Sequence, residues 1–268
     1  MSKITTILKG NIRIYVTEAT EVAQAAMDAH KTKPLGSLIL STAIASFGTL
    51  VSLYKEQKTS SIIKSNGASK TILVETKPNG DIRGLIGNPG VITEADEKDF
   101  NNIPLTVGIG DSGTLKIVRD VNGALFGGEV ALANFDIVTD LAFYFDQSDQ
   151  IFTAVLSDIE LESPTKLKKA NSVIFQMLPN HTEEEIKFVE EFIKDNKLSS
   201  MKPSEYIKKL NGMIIEEKEI RWKCSCSLKK MKEVIKVISK EEQEKIIKEH
   251  GKLEIKCNYC NKKYNINV

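Results

Sequence analysis

Four cysteines stand close to the C-terminal end of the chain in two tight pairs, Cys224 with Cys226 (CxC) and Cys257 with Cys260 (CxxC), separated by 30 residues. Four thiolates suit a tetrahedral zinc ion, and two pairs contributed by separate turns are how a small domain assembles such a site. Four unrelated buried thiols would not be expected to cluster in this way. One zinc ion held by Cys224, Cys226, Cys257 and Cys260 is therefore the first expectation.

Spacing alone favours a structural role for the metal, but each pair is also close enough in sequence to close its own disulfide. The energies of the two states differ widely. Structural zinc contributes about 10 to 16 kcal/mol of folding free energy, whereas a disulfide closing a loop of three or four residues returns only about 1.5 to 2 kcal/mol in the chain-entropy model. Oxidation with local pairing would thus unfold this part of the chain, and cross-pairing such as Cys224 with Cys257 would preserve it. The residues by themselves leave both pairings open.

Other chemistry-bearing motifs are weak. Gly108 to Gly113 matches GxGxxG, but that fingerprint must open a helix that receives a pyrophosphate, and Thr114 to Arg119 continues as an alternating strand. A glycine-rich turn is expected instead. His30, His181 and His250 are too scattered for a triad, no GxSxG, HExxH or P-loop occurs, and Asp146 and Asp149 read as a solvated helix terminus. No enzymatic activity is expected.

Zinc sites need a scaffold, and the composition supplies an ordinary soluble one: 268 residues, 41% hydrophobic and 27% charged, with a formal net charge of +1 that gives no general pull towards nucleic acid or anionic lipid. The N-terminus lacks an apolar signal region, so a reducing, cytoplasmic compartment is expected, which favours metal-bound over disulfide-bonded cysteines. Pro34 to Tyr54 carries no charge and is long enough to span a bilayer, but six Ser and Thr residues dilute it, and a buried core helix is predicted.

Residues 1–178 read as an α+β domain. Helical spacing over 17–30 and the helix from Pro34 precede period-two strands at 60–65, 71–75 and 81–87, with Asn66-Gly67 and Asn79-Gly80 as hairpin turns. Further strands are predicted at 114–119, 125–130, 152–160 and 172–177, with a helix at 136–145. Irregular alternation of this kind predicts antiparallel sheet rather than a doubly wound fold. Residues 179–218 form a charged helical linker: Thr182 and Glu185 make a capping box, and Ile186, Phe188, Val189, Phe192 and Ile193 form an apolar stripe too small for a core of its own. Residues 219–268 are too few to be secure on apolar burial alone, which is where a metal is usually found. This last segment carries thirteen basic and seven acidic residues, so an RNA-binding protein with a structural zinc is the competing reading, although Trp222, Tyr259 and Tyr264 are few for base stacking.

Taken with the Gly87-Asn-Pro-Gly90, Gly113 to Asp120, Asp140 to Asp149 and Gln176-Met-Leu-Pro179 segments, the cysteine pattern resembles the heat-shock protein 33 family of redox-regulated holdase chaperones. Ala170 to Phe175 departs from the glycine-led stretch usual in that family. The resemblance implies an ATP-independent protein that is inactive while reduced and zinc-loaded. Oxidation would form Cys224-Cys226 and Cys257-Cys260 disulfides and release the metal, loosening the linker and uncovering apolar surface for unfolding client proteins, with homodimerisation on activation. The stripe Ile186, Phe188, Val189, Phe192 and Ile193 is the candidate client or docking surface, and no nucleic-acid or membrane partner is implied.

Overall fold

The protein is described by a computed structural model covering residues 1–92 and 99–266, the side chain of His250 excepted. The chain divides into two compact units, Met1–Trp222 and Lys223–Val268.

The first unit opens with a hairpin, β1 (Lys3–Lys9) and β2 (Ile12–Glu18), turning at Gly10 with φ +56°. Sequence reading finds no strands here because the hairpin is covered on both faces. Ile4 and Tyr15 face one apolar cluster while Ile7, Ile14 and Val16 face another, which erases the polar alternation that marks a half-exposed strand.

Helices α1 (Thr20–His30) and α2 (Pro34–Gly48) follow, with the short α3 (Leu50–Leu53) continuing the apolar segment. Every residue of α2 is buried, so the prediction of a core helix holds; the hydroxyls of Ser41 and Ser46 have no hydrogen-bond partner among the described residues, whereas others in or against the helix are paired. Thr42 donates to the Leu38 carbonyl at 2.8 Å, and the Ser172 hydroxyl donates to that of Ala45 at 2.7 Å. Hydroxyls paired in this way enter an apolar interior at little cost.

The predicted strands become β3 (Lys58–Ser65), β4 (Thr71–Thr76), β5 (Asp81–Ile86), β6 (Gly113–Val121) and β7 (Ala124–Ala131). Between β5 and β6 lies the short α4 (Thr106–Ile109). The GxGxxG run begins in this helix and ends on β6, the reverse of a nucleotide fingerprint. It serves as a backbone lock: Gly67 donates to the Ile109 carbonyl at 3.1 Å and Asn66 to that of Ser112 at 3.0 Å. A Cβ on Gly67 would stand 2.3 Å from the Ile109 carbonyl carbon.

Helix α5 (Ile137–Tyr144) starts at an Asp136 cap and runs into a π-helical turn, Phe145–Asp149. Here one expectation is corrected. Asp149 is not simply a solvated terminus, because its carboxylate accepts the hydroxyl of the buried Tyr54, whose ring also carries the Arg119 guanidinium at 4.7 Å. Next come β8 (Thr153–Ser163), β9 (Lys166–Met177), α6 (Glu183–Asp195), a 3-10 turn at Leu198–Ser200, α7 (Pro203–Leu210), β10 (Met213–Glu219) and β11 (Arg221–Trp222).

Two sheets result, one in the order β10-β1-β2-β9-β8 and the other β11-β5-β4-β3-β6-β7, with α2 against both. All pairings within them are antiparallel except that of β11 with β5. The α+β reading with antiparallel sheet is correct. The second unit holds α8 (Leu228–Ile235), α9 (Lys240–His250) and the hairpin of β12 (Leu253–Lys256) with β13 (Lys263–Ile266).

Candidate metal centre

The four cysteines come from two turns of the second unit. Cys224 and Cys226 lie on the extended run before α8, whose first turn is capped by the Ser227 hydroxyl accepting from Lys230 N. Cys257 and Cys260 sit on the turn between β12 and β13. There Cys257 N donates to the Lys262 carbonyl at 2.9 Å, Asn261 N donates to the Cys257 carbonyl at 2.8 Å, and Asn261 takes a left-handed φ of +58°. That geometry curls the backbone so that both side chains point inward.

All four sulfurs lie within 4.8 Å of one another. Cys224 Sγ is 3.7 Å from Cys257 Sγ, and Cys226 Sγ is 3.4 Å from Cys260 Sγ. A tetrahedron with metal-sulfur bonds of about 2.3 Å has edges of about 3.8 Å, so the four thiols can hold one metal ion with little movement. Cys257 is buried and the others are half-buried. Around them Ile235, Leu253, Tyr264 and Ile266 form a small apolar cluster.

The sulfurs are not equivalent. Burial pushes the Cys226 thiol up, but hydrogen bonds from Tyr264 and the neighbouring thiols outweigh it and bring it down to about 7. Burial raises Cys224 and Cys260. Tyr264, hydrogen-bonded to Cys226 at 3.0 Å, is itself raised to about 12, first of all by that bond. Sequence reading puts Lys223 and Lys256 next to the cysteines, and both are exposed. The signal it missed was that Tyr264 lies four residues beyond Cys260 on a strand that folds back over the sulfurs.

The linker stripe sits on the first unit. Val189 and Phe192 are buried, and Ile186, Phe188 and Ile193 are half-buried, all in a cluster with Ile7, Ile12, Ile14, Val173 and Phe175 on one face of the β1-containing sheet. Phe192 meets Phe175, Phe188 and the ring of Tyr206, the last edge-on at 5.2 Å. The capping box forms as predicted, and Glu185 has a further partner. One carboxylate oxygen accepts from Asn11 N in the β1–β2 turn at 2.6 Å and the other from Thr182 N at 2.9 Å. Those two backbone N–H groups hold the Glu185 carboxyl below its ordinary range. Lys169 donates to the Ser199 carbonyl at 3.2 Å, and Lys9 to that of Asn211 at 3.5 Å.

The family model described as "Hsp33 protein" matches residues 4–267. A "33 kDa chaperonin" of Thermosipho melanesiensis is 30% identical over 269 residues, covering 96% of this chain and 92% of that one. One from Geobacillus kaustophilus is 27% identical over 267 residues, covering 95% and 90%. The crystal structure of a 33 kDa chaperonin, a heat shock protein 33 homolog from Thermotoga maritima, superposes with a TM-score of 0.89 at 26% identity, covering 99% of this chain and 94% of the other.

Proposed function

Because this chain belongs to the Hsp33 family, we propose that it is an ATP-independent holdase chaperone of the cytoplasm, silenced by one zinc ion on Cys224, Cys226, Cys257 and Cys260 and switched on by oxidation of those sulfurs. The observation that carries the reading is the convergence of four sulfurs within 4.8 Å inside a unit whose own apolar cluster is small. When bound, zinc would supply the tie between the two cysteine turns and most of the folding free energy of residues 223–268.

The chain's own chemistry then accounts for the switch. A thiolate attacks peroxide, breaking the O–O bond to give a sulfenic acid and hydroxide, and its partner thiolate displaces a second hydroxide to close the disulfide. Each pair thereby consumes one peroxide, loses two electrons and ceases to be a ligand. Pairing as Cys224-Cys226 and Cys257-Cys260 removes the link between the turns, because neither disulfide spans the intervening segment. Two short sulfur contacts run across the pairs, Cys224 to Cys257 at 3.7 Å and Cys226 to Cys260 at 3.4 Å, which makes disulfide mapping a discriminating test.

Division of the chain into a core of residues 1–178, a switch at 179–218 and a zinc domain from 219 onward is part of the same proposal. The switch suits its role because Val189 and Phe192 are buried on a sheet face that the linker would uncover on leaving. That face, or the stripe Ile186, Phe188, Val189, Phe192 and Ile193 itself, would hold unfolding clients, with a homodimer forming in the active state.

A peroxide titration with zinc release, disulfide mapping and client light scattering followed on the same samples tests the reading. The expected result is that zinc loss, the two local disulfides and suppression of aggregation rise together. Activity that appears while zinc stays bound, or cross-paired cysteines in the active protein, overturns it. Salt-dependent RNA binding by the reduced, zinc-loaded form would favour the RNA-binding reading instead.

A further inference from the structure

Cys226 has a side-chain oxygen within hydrogen-bond distance. Tyr264 stands on β13 directly opposite Ile255 on β12, its ring is almost wholly buried in the small apolar cluster, and its hydroxyl oxygen lies 3.0 Å from Cys226 Sγ. The Lys262 ammonium lies 5.4 Å from the centre of the same ring. A cation near the ring draws electron density from the phenol and strengthens its O–H as a donor. The hairpin register holds the ring, so the hydroxyl is kept against the sulfur.

We propose that Tyr264 is a positioning residue for the redox centre, whose O–H donates to the Cys226 sulfur, directs it towards the metal and lowers its nucleophilicity, so that it sets the oxidant level at which the centre opens. The inference rests on the reading of the four cysteines as a zinc-holding redox centre. Its physical basis is that outer hydrogen bonds orient metal ligands and tune their basicity. Attack on peroxide uses a sulfur lone pair, forms an S–O bond, breaks the O–O bond and releases hydroxide. A lone pair already shared with an O–H is a poorer nucleophile, and the hydrogen bond must weaken before the new bond forms. A residue present only for packing would leave this step untouched.

The test uses the full-length, reduced, zinc-loaded protein and the variant Tyr264→Phe, which keeps the ring and deletes only the donor. Three measurements separate donation from packing. In competition with a chromogenic chelator, zinc affinity is expected to fall about tenfold or more, as for loss of other outer-shell partners. Zinc release under excess peroxide should accelerate severalfold. In the cobalt-substituted protein, the sulfur-to-metal charge-transfer band should move to lower energy, because an undonated thiolate is easier to oxidise. Lys262→Met, which leaves the hydroxyl in place and removes the cation, should change all three in the same direction by less. It keeps the idea testable if the Phe variant fails to fold.

Unchanged affinity and an unmoved cobalt band in Tyr264→Phe would overturn the proposal, as would slower zinc release. The outcome is separable from that of the proposed function. If the variant loses zinc sooner but client holding does not track zinc loss, the chaperone switch is wrong and the role of Tyr264 stands. If both proteins keep zinc under peroxide, the redox reading fails and Tyr264 is judged by the affinity and cobalt measurements.

Discussion

Replacing Phe192 by Ala should turn the reduced, zinc-loaded protein into a client-binding one without any oxidant. Phe192 is 8% exposed and its ring meets Phe175 at 6.3 Å, Phe188 at 5.6 Å and Tyr206 at 5.2 Å between centroids. Deleting a buried Phe side chain costs about 3 to 5 kcal/mol. Because α6 and α7 have no apolar core of their own, that loss falls on the docking of the linker rather than on the core sheets. At a factor of ten for every 1.4 kcal/mol, the docked-to-undocked ratio drops roughly a hundred- to several thousandfold. The assay is aggregation of a heat-unfolding client followed by light scattering, beside limited proteolysis at 180–211 and a zinc assay on the same sample. Glu190→Ala, exposed on the same helix, serves as the neutral control. The expected result is holdase activity and cleavage in the linker with zinc still bound. A Phe192→Ala protein that is cleaved in the linker but holds no client would refute the idea that undocking exposes the client surface. One that resists cleavage would refute the claim that this ring secures the linker.

Three further outcomes follow from particular contacts. Glu185 is held below its ordinary value of 4.5 by the N–H groups of Asn11 and Thr182, so its contribution to linker docking is fully present above about pH 4.5 and is lost as pH falls through the lower folded value. Linker proteolysis in a descending pH series should show this dependence, and Glu185→Gln should dock more weakly at neutral pH and lose that part of it. A strong chelator under reducing conditions should abolish protease resistance in 223–268 and leave a resistant fragment ending near Trp222. Survival of the second unit without metal would show that its apolar cluster suffices. Finally, Asp140 is buried and its carboxylate accepts from Ala133, Asn134 and Asp136 N at 2.8, 2.9 and 3.1 Å. Asp140→Ala should destabilise the first unit by about 3 kcal/mol or more, which is a fall in melting temperature of roughly 6 to 12 °C by calorimetry.

Much of this protein was legible from local pattern. The strands β3 to β6 alternate in period two because one face is buried and the other is not, the N-caps at Asp136 and Thr182 announce their helices, and the turns at Asn66-Gly67 and Asn79-Gly80 carry residues suited to the tight returns between strands. Two-sided burial hid the β1–β2 hairpin. The strand β10 was hidden for a different reason: Met213, Ile214 and Ile215 are exposed in a row at the sheet edge, so the run neither alternates nor marks a core.

The cysteine cluster divides in the same way. Residue type and spacing determined that Cys224, Cys226, Cys257 and Cys260 could form a single metal site, since two short pairs on separate turns need only one chain reversal to meet. Tertiary structure decided what surrounds them. The pairing of β12 with β13 brings the Tyr264 hydroxyl onto Cys226, 38 residues away in sequence, and Asn11 meets Glu185 across 174 residues. No local rule contains these contacts, because each depends on how two distant strands or turns are set side by side. The four thiols that could hold a metal were legible in the sequence, whereas the hydrogen bonds that make one sulfur and one carboxylate unlike their neighbours arose only on folding.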